Sequence, residues 1–600
     1  MRRFFLLLVL PFFCSPLLAG TNLVMDSAQK RIAQFHAGEK PNGAFVRIVY
    51  FHAADREPLP DFAARLDRVM TDISEFYREG MEQRFGVKTG GIPLERKDGK
   101  LIIHVVRGQH ASAHYNYESG NETWAEVQEA LTGTLDVKRE HVLILYGLCE
   151  RESDGRFVFN APYYGAGWSD QSHGLCHAAD CDLLDPALLT QKDKPFVFTE
   201  HYYPRVESTV AKFNSWYIGG TAHELGHGLG FPHDNGAPGE APGVALMGGG
   251  NLHYREELWG GRSPAYLSLA TALRFAAHPI VTHSDKARWQ PADAVVEDLT
   301  ASVEKGKLRL TGKVRASVPP CAIIASAWPS SAKSDHGAMT FCAAVDDDGK
   351  FSVELTHLNA PSWNMTLGSL LVNGAESSER FTFECNARGE PETDFLSVRA
   401  VDLAEQALMR DPAQAKKFLT DEAILASKDG EIRRRLRLLD AMRKPDPEPI
   451  DLTSATSGRA YLSDARWTQA EVGWGKVTRN RYSFSRERWE GLFLKMDGEV
   501  FGKGLYAHAD SVFAFPIGGN WKTFSAVIGL REGALDQGSA VFTVVGDGKE
   551  IYRSKVLRPG KREVLRLDIS GVRQLELRVK GGEGHPHNCW AIWADPLVER

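Results

Sequence analysis

The spacing of apolar residues along the first half of the chain alternates between strand-like and helix-like. Short continuous apolar runs predict buried strands at residues 44–51, 101–106 and 141–146. Apolar residues three and four positions apart predict helices at residues 61–85, 207–229 and 264–277. Residues 158–204 are rich in aromatic residues and turn formers and predict loops. This alternation predicts one α/β domain over residues 44–285.

The pattern changes after residue 285. Between residues 290 and 388, short apolar runs alternate with turn signals, which predicts a small β-sandwich of the immunoglobulin-like type. Residues 395–443 carry Ala, Leu, Arg and Lys at helical spacing and predict a helical connector. The proline-rich stretch 444–449 predicts a stiff linker and a domain boundary. Beyond it, residues 450–600 predict another β-rich domain.

The amino terminus has the pattern of a secretory signal peptide over residues 1–19. Arg2 and Arg3 precede an apolar run at 4–13, and residues 17–19 (LLA) give a small-residue cleavage context. We therefore expect a secreted, periplasmic or cell-surface protein with no membrane span after signal removal. An uncleaved membrane anchor is the alternative. A net charge of −6 over 600 residues, with no basic block, argues against nucleic acid as a partner.

The cysteines leave two interpretations open. Cys14 would leave with the signal peptide, and the seven that remain are an odd number, so at least one thiol stays unpaired. Cys176 and Cys181 flank a loop that contains His177. A disulfide that staples this loop, with Cys149 as a possible participant, is the favoured interpretation, and a second metal site is the alternative.

The most informative segment is HELGHGLGFPH, residues 223–233. Residues four apart lie on one face of a helix, about 6 Å apart along the axis, so His223 and His227 can bind one ion. Glu224 lies beside them, and Gly230 can take a positive φ and turn the chain so that His233 becomes a third ligand. Three histidines with an open fourth position are typical of catalytic zinc sites. A helix with structural histidines is the alternative.

This segment resembles the pattern H-E-x-x-H-x-x-G-x-x-H of the metzincin zinc metallopeptidases. The resemblance implies a twisted sheet above the motif helix, one catalytic Zn²⁺ held by His223, His227 and His233, and Glu224 as the catalytic base. It also implies a methionine turn below the metal, for which Met247 in the segment ALMGGG is the candidate. An ordinary core methionine is the alternative for Met247. The tyrosine that some metzincins carry two residues after this methionine is absent, because the position is Gly249.

The C-terminal block resembles the NPCBM family of carbohydrate-binding modules. Four segments carry the resemblance, GWG at 473–475, KGLYAHA at 503–509, GDGK at 546–549 and WAIWAD at 590–595. The resemblance implies a jelly-roll β-sandwich over residues 450–600 that binds a glycan. Aromatic rings can stack on sugar rings, which makes Trp474, Trp590 and Trp593 candidate binding residues, together with His508. Core packing is the alternative for each tryptophan, as a structural hydrogen bond is for His508.

Together these features predict a multidomain, secreted zinc endopeptidase. The zinc ion would lower the pKa of a bound water from about 16 towards 7, and Glu224 would take its proton as general base. The carbohydrate-binding domain would hold the enzyme close to glycoprotein or polysaccharide-associated substrates. Two other functions stay open, namely a catalytically inactive glycan-binding scaffold and a zinc hydrolase of a non-peptide bond.

Overall fold

A computed structural model describes residues 16–600 except 137, 154–155, 201–202, 411, 417, 420–428, 483–490, 535–537 and 583. The predicted signal segment, residues 1–19, lies mostly outside the described residues. The chain divides into two compact units, Met1–Thr393 and Asp394–Arg600. Within the described ranges, no helix combines the length and the apolarity that a membrane crossing requires.

The first unit begins with alternating helices and strands. In chain order they are α1 Pro16–His36, β1 Val46–His52, α2 Phe62–Phe85, β2 Arg96–Lys97, β3 Lys100–Leu101, β4 Ile103–Arg107, α3 Gly120–Ala130, β5 His141–Tyr146, β6 Glu150–Arg151, β7 Phe157–Val158, β8 Tyr164–Gly165, β9 Gly174–Ala179, β10 Pro195–Glu200, β11 Tyr203–Thr209, α4 Val210–Gly228, β12 Val244–Ala245, β13 Ala265–Tyr266, α5 Leu269–Ala277 and α6 Pro279–Thr282.

A five-stranded sheet forms the centre of this α/β region. Its order is β4-β1-β5-β9-β8, and β4, β1, β5 and β9 are parallel. Only β8, at the edge, runs antiparallel to its neighbour. Every residue of β5 and β9 is buried, as expected for parallel strands covered on both faces. Helix α4 lies against β9, where a Cβ on Gly228 would lie 2.8 Å from the Sγ of Cys176.

Two sequence predictions in this region were wrong in detail. The helix predicted at 207–229 begins at Val210, because residues 203–209 pair with β10 as β11 and Thr209 caps the helix through its side chain. The stretch 158–204, predicted as loops, contributes β8, β9 and β10. Its aromatic side chains pack against one another and against α4, as Phe213 does with Phe196 and Phe198.

A seven-stranded β-sandwich completes the first unit. Its strands are β14 Val295–Glu304, β15 Lys307–Arg315, β16 Pro320–Pro329, β17 Met339–Ala344, β18 Lys350–Leu355, β19 Ser362–Leu371 and β20 Glu376–Glu384. One sheet has the order β14-β15-β18 and the other β17-β16-β19-β20. Residues of β16 and β19 belong to the same buried cluster as the α/β core. The buried Arg274 of α5 also pairs with Glu376 of β20 at 2.7 Å, so the two regions are packed together.

In the part of the second unit that the structure describes, three helices precede a larger β-sandwich. Its elements are α7 Phe395–Arg410, α8 Pro412–Ala415, α9 Gly430–Met442, β21 Arg459–Tyr461, β22 Gln469–Glu471, β23 Leu494–Met496, β24 Glu499–Phe501, β25 Gly504–Tyr506, β26 Ser511–Pro516, β27 Thr523–Leu530, β28 Ala540–Gly546, β29 Lys549–Arg553, β30 Arg562–Asp568, β31 Gln574–Gly581 and β32 Ala591–Glu599. Two five-stranded sheets contain most of these strands.

The proline stretch 444–449 does not separate compact units, contrary to the sequence prediction. Helices α7 and α9 share a buried cluster with Phe493 and Val500 of the sandwich. Apolar burial therefore joins the helical connector to the domain that follows it, and the division between units falls at Thr393 instead.

The predicted loop-stapling disulfide is not present among the described residues, where the cysteines are free thiols. Cys176 lies in the buried strand β9, with its thiol directed at the Val142 carbonyl, 3.7 Å away. Burial raises the pKa of the Cys176 thiol well above its usual value, which suits a small core residue better than a reactive one.

Candidate active site

Helix α4 and the turn after it bring the three predicted zinc ligands together. His223, Glu224 and His227 lie in the last turns of the helix. Gly230 adopts a φ of +82°, and the N–H of Phe231 donates to the Gly226 carbonyl at 3.0 Å, which ends the helix. A side chain at position 230 would also collide with the backbone of Asp170, 2.9 Å from its Cβ, so glycine is required for two reasons.

The turn places the imidazole of His233 opposite the other two. The ring centroid of His227 lies 4.7 Å from those of His223 and His233, and the latter two are 5.6 Å apart. One ligand-type nitrogen from each histidine falls within 4.8 Å of the others. The Nε2 atoms of His223 and His227 are 3.1 Å apart.

The Nδ1 atoms of the three histidines face acceptors. His223 Nδ1 donates to the Leu246 carbonyl and His227 Nδ1 to the Phe231 carbonyl, both at 2.7 Å. His233 Nδ1 donates to Oδ1 of Asp335 at 2.9 Å. Burial lowers the pKa of His223 to about 3 and that of His227 to about 4, so both are neutral.

These contacts fit a bound zinc ion. A neutral imidazole that donates from Nδ1 has only a lone pair at Nε2. Two such Nε2 atoms at 3.1 Å cannot hydrogen-bond to each other, and a cation between them resolves the repulsion. Nδ1–H bonds to carbonyl or carboxylate oxygens also match the partners that orient histidine ligands in zinc proteins.

Met247 packs against helix α4 at Gly226, the residue before His227. It is fully buried, and its Sδ is so close to α4 that a Cβ on Gly226 would lie 2.3 Å from it. The N–H of Gly248 donates to the Ala245 carbonyl at 3.0 Å, which closes the turn, and the Met247 carbonyl accepts from the N–H of Asp234. The same turn thus supports the helix and the segment that carries His233.

Glu224 stands beside the histidines with a carboxyl group withdrawn from bulk water. Burial raises its pKa to about 8, and the nearby backbone N–H of Gly165 acts in the opposite direction, since it stabilises the carboxylate. Gly165 belongs to β8, the edge strand of the sheet. The carboxyl group of Glu224 therefore faces the strand that borders the cleft.

The histidines and Glu224 open into a cleft of about 1060 Å³. Aromatic side chains line much of its wall, namely Tyr117, Phe159, Tyr163, Tyr164, Trp216 and Tyr217. Several are fixed by contacts with each other, such as the stacked rings of Phe159 and Tyr217 at 4.2 Å. The cleft is large enough for an extended segment of chain, and its rings offer flat apolar surfaces.

Two residues of the cleft come from the β-sandwich and were not predicted. Asp335 and His336 lie in a short 3₁₀ helix between β16 and β17. The His336 ring lies over that of His233, with centroids 3.9 Å apart, and Asn235 Nδ2 donates to the His336 carbonyl at 2.6 Å. His336 Nδ1 is hydrogen-bonded to the Ser334 hydroxyl, so Nε2 is the nitrogen left for a ligand.

The candidate glycan-binding residues of the second unit fall into two groups. Trp474 is 44% exposed, and its ring lies 6.0 Å from that of His508, which is largely buried and bonds through Nδ1 to the Ala509 carbonyl at 2.7 Å. Trp593 is fully buried between Phe524 and Phe542, so its prediction as a glycan platform was wrong. Trp590 is only 7% exposed and also lacks an open ring face.

Comparison with known proteins identifies the C-terminal domain. Residues 458–599 match the family model described as the NPCBM/NEW2 domain, which confirms the predicted NPCBM-like module. A curated relative, "Putative endo-alpha-N-acetylgalactosaminidase" of Renibacterium salmoninarum, is 31% identical over 162 residues. The match covers 25% of this chain and 11% of that protein, so the chain spans only a small part of the relative's length.

Two solved structures are similar to a longer part of the chain. Wild-type OgpA from Akkermansia muciniphila is 25% identical, with a TM-score of 0.47, over 58% of this chain and 95% of that one. Catalytically inactive OgpA in complex with an O-glycopeptide (glycodrosocin) substrate is 24% identical, with a TM-score of 0.46, over 58% and 94%. The chain itself is a multidomain, mostly β protein that ends in an NPCBM-type β-sandwich.

Proposed function

We propose that this chain is a secreted zinc endopeptidase that acts on glycoproteins or on proteins embedded in polysaccharide. The observation that carries the proposal is the cluster of three imidazoles, of which His223 and His227 are neutral and turn their Nε2 atoms towards each other, next to the carboxyl group of Glu224 in an open cleft. His223, His227 and His233 would hold the ion. When bound, zinc would supply a Lewis acid that polarises the scissile carbonyl and acidifies water.

Glu224 is the general base in this proposal. With zinc bound, the positive charge beside Glu224 would favour its ionised form, and that carboxylate would accept a proton from the attacking water and deliver it to the leaving amine. Glu224 suits this role because its carboxyl group lies near Gly165 of β8, and the substrate would lie along β8. The chain needs no covalent nucleophile for this reaction.

His336, whose ring lies over that of His233, would assist the reaction by stabilising negative charge. Its free Nε2 can donate a hydrogen bond to the substrate carbonyl oxygen, which becomes negatively charged in the transition state. His336 would thus take the role of the tyrosine that some metzincins carry at the position of Gly249, where this chain has no side chain. Asp335 would act through His233, by holding that ring in the tautomer that leaves Nε2 unprotonated.

An extended substrate can be held by the edge of the sheet. Strand β8 ends the sheet order, so an extended peptide can pair with it as one further strand. The aromatic side chains of the cleft wall would then contact side chains or sugars on that peptide. In the second unit, Trp474 would offer an exposed ring to a glycan and keep the enzyme near its substrate.

The proposal is tested by incubating the purified protein with a glycoprotein, a deglycosylated sample of it and a diverse peptide mixture. New amino termini that disappear on chelation, and that the Glu224→Gln variant does not produce, would support the peptidase. Released sugars without new amino termini would instead identify a hydrolase of a glycosidic or amide-linked modification. Glycan binding with neither product would identify an inactive scaffold.

A further inference from the structure

We propose that His110, His114 and Glu122 form a second metal site, selective for Zn²⁺ or a similar borderline cation, which braces one wall of the cleft. One ligand-type atom from each of the three residues lies within 4.8 Å of the others. Glu122 Oε1 is 2.8 Å from His114 Nε2 and 3.6 Å from His110 Nε2. Metal binding at this cluster does not depend on the proposed peptidase activity.

The donor set suits zinc rather than calcium or magnesium. Two imidazoles and one carboxylate are the ligands of many catalytic and auxiliary zinc sites, whereas the hard cations favour oxygen alone. The two rings are stacked, with centroids 4.1 Å apart and planes 30° apart, and both present Nε2 to the same carboxylate oxygen. Since all three side chains are exposed, water can complete the coordination and the ion can enter freely.

The backbone that carries the cluster is held by its own hydrogen bonds, so the three ligand positions are fixed relative to one another. The His110 carbonyl accepts from the N–H of Ala54 at 2.8 Å, and its N–H donates to the Tyr115 hydroxyl at 3.0 Å. The N–H of Ser112 donates to Asp55 at 2.8 Å. Glu122 is in the first turn of α3. A fixed framework lowers the entropy cost of binding the ion.

The segment between the ligands reaches the candidate active site. Tyr117 lines the cleft, and its ring lies 5.4 Å from that of Tyr164 in β8, the strand that borders Glu224. A Cβ on Gly120 would lie 1.9 Å from the Tyr164 hydroxyl, so the start of α3 packs directly on that strand. An ion held by His110 and Glu122 would therefore restrain the wall that faces the substrate.

Zinc stoichiometry in full-length protein tests the site. We expect two zinc ions per chain in the wild type, one in His114→Ala and one in His233→Ala. His104→Ala is the matched control, because His104 also bonds to a carboxylate, Glu95 at 3.2 Å, but belongs to no cluster of three metal-ligating side chains among the described residues. It should keep both ions. If His114→Ala binds as much zinc as His104→Ala, the second site does not exist.

The outcome is distinguishable from a failure of the proposed function. If only the active-site cluster were wrong, the wild type would bind one ion, lost in His114→Ala and kept in His233→Ala.

The bracing role is measured by amide exchange of residues 110–122 in the His233→Ala background. Zinc at about ten times its Kd should slow exchange through loop opening about tenfold, since the protection factor is one plus the ratio of ligand to Kd. Unchanged exchange with zinc bound would overturn the bracing role.

Discussion

Asp335 offers a test of whether the β-sandwich contributes to the candidate active site. Its Oδ1 accepts the Nδ1–H of His233 at 2.9 Å, and the hydrogen bond of that histidine holds the pKa of Asp335 below its usual range. Removing such an outer partner of a zinc ligand costs about 10- to 100-fold in metal affinity or activity, which is about 1.4 to 2.7 kcal/mol. The side chain is 41% exposed, so water can replace part of the interaction.

We therefore expect Asp335→Asn to weaken zinc binding by about tenfold, at the lower end of that range. Zinc affinity is measured by competition with a chromophoric chelator, and kcat/KM is measured on a peptide substrate with zinc in excess. Asp348→Asn is the matched control, because it removes the same charge from an exposed turn of the same sandwich. If the two variants bind zinc equally well, the sandwich does not orient His233 and the argument for a shared site fails.

Three further predictions concern the other parts of the molecule. His336→Ala should lower kcat by about tenfold to a hundredfold with zinc content unchanged. A loss of zinc as large as the loss of kcat would show that His336 acts on the zinc ligands instead. Burial lowers the pKa of His141 to about 4, so the unfolded chain binds more protons than the folded chain below about pH 6.5, and the free energy of unfolding should fall on acidification by up to about 1.4 kcal/mol per pH unit. Between about pH 6.5 and 5, chemical denaturation should show a weaker dependence of this free energy on pH for His141→Gln than for the wild type. An equal dependence would contradict this. Trp474→Ala should abolish binding to a glycan array, whereas Val564→Ala, the control at another exposed apolar residue, should not. Retained binding by Trp474→Ala would show that Trp474 is not part of the glycan site.

Local spacing made the cluster of three histidines predictable. His223, Glu224 and His227 share one helix face, and the glycine at position 230 is needed for a turn that requires a positive φ. Each of these features depends on residues at most a few positions apart, where backbone geometry limits the outcome. The strand at residues 141–146 was predictable for the same reason, since a continuous apolar run of that length favours a buried strand.

The remaining features depend on contacts between distant parts of the chain. Asp335 is 102 positions from His233, and no spacing rule connects a sandwich loop to a helical motif. Trp593 and Trp474 are both candidate ring platforms by residue type, but the packing of the second unit places Trp593 in the core and Trp474 at the surface. The proline stretch 444–449 has the composition of a linker, yet apolar contacts across it decide which elements form one unit.

The most direct test of the central claim compares Glu224→Gln with the wild type in zinc content and in hydrolysis of a protein substrate. We expect the variant to retain zinc at His223, His227 and His233 but to lose activity by about a hundredfold or more, because only the proton acceptor is removed. Wild-type hydrolysis by a zinc-loaded Glu224→Gln variant would contradict the account.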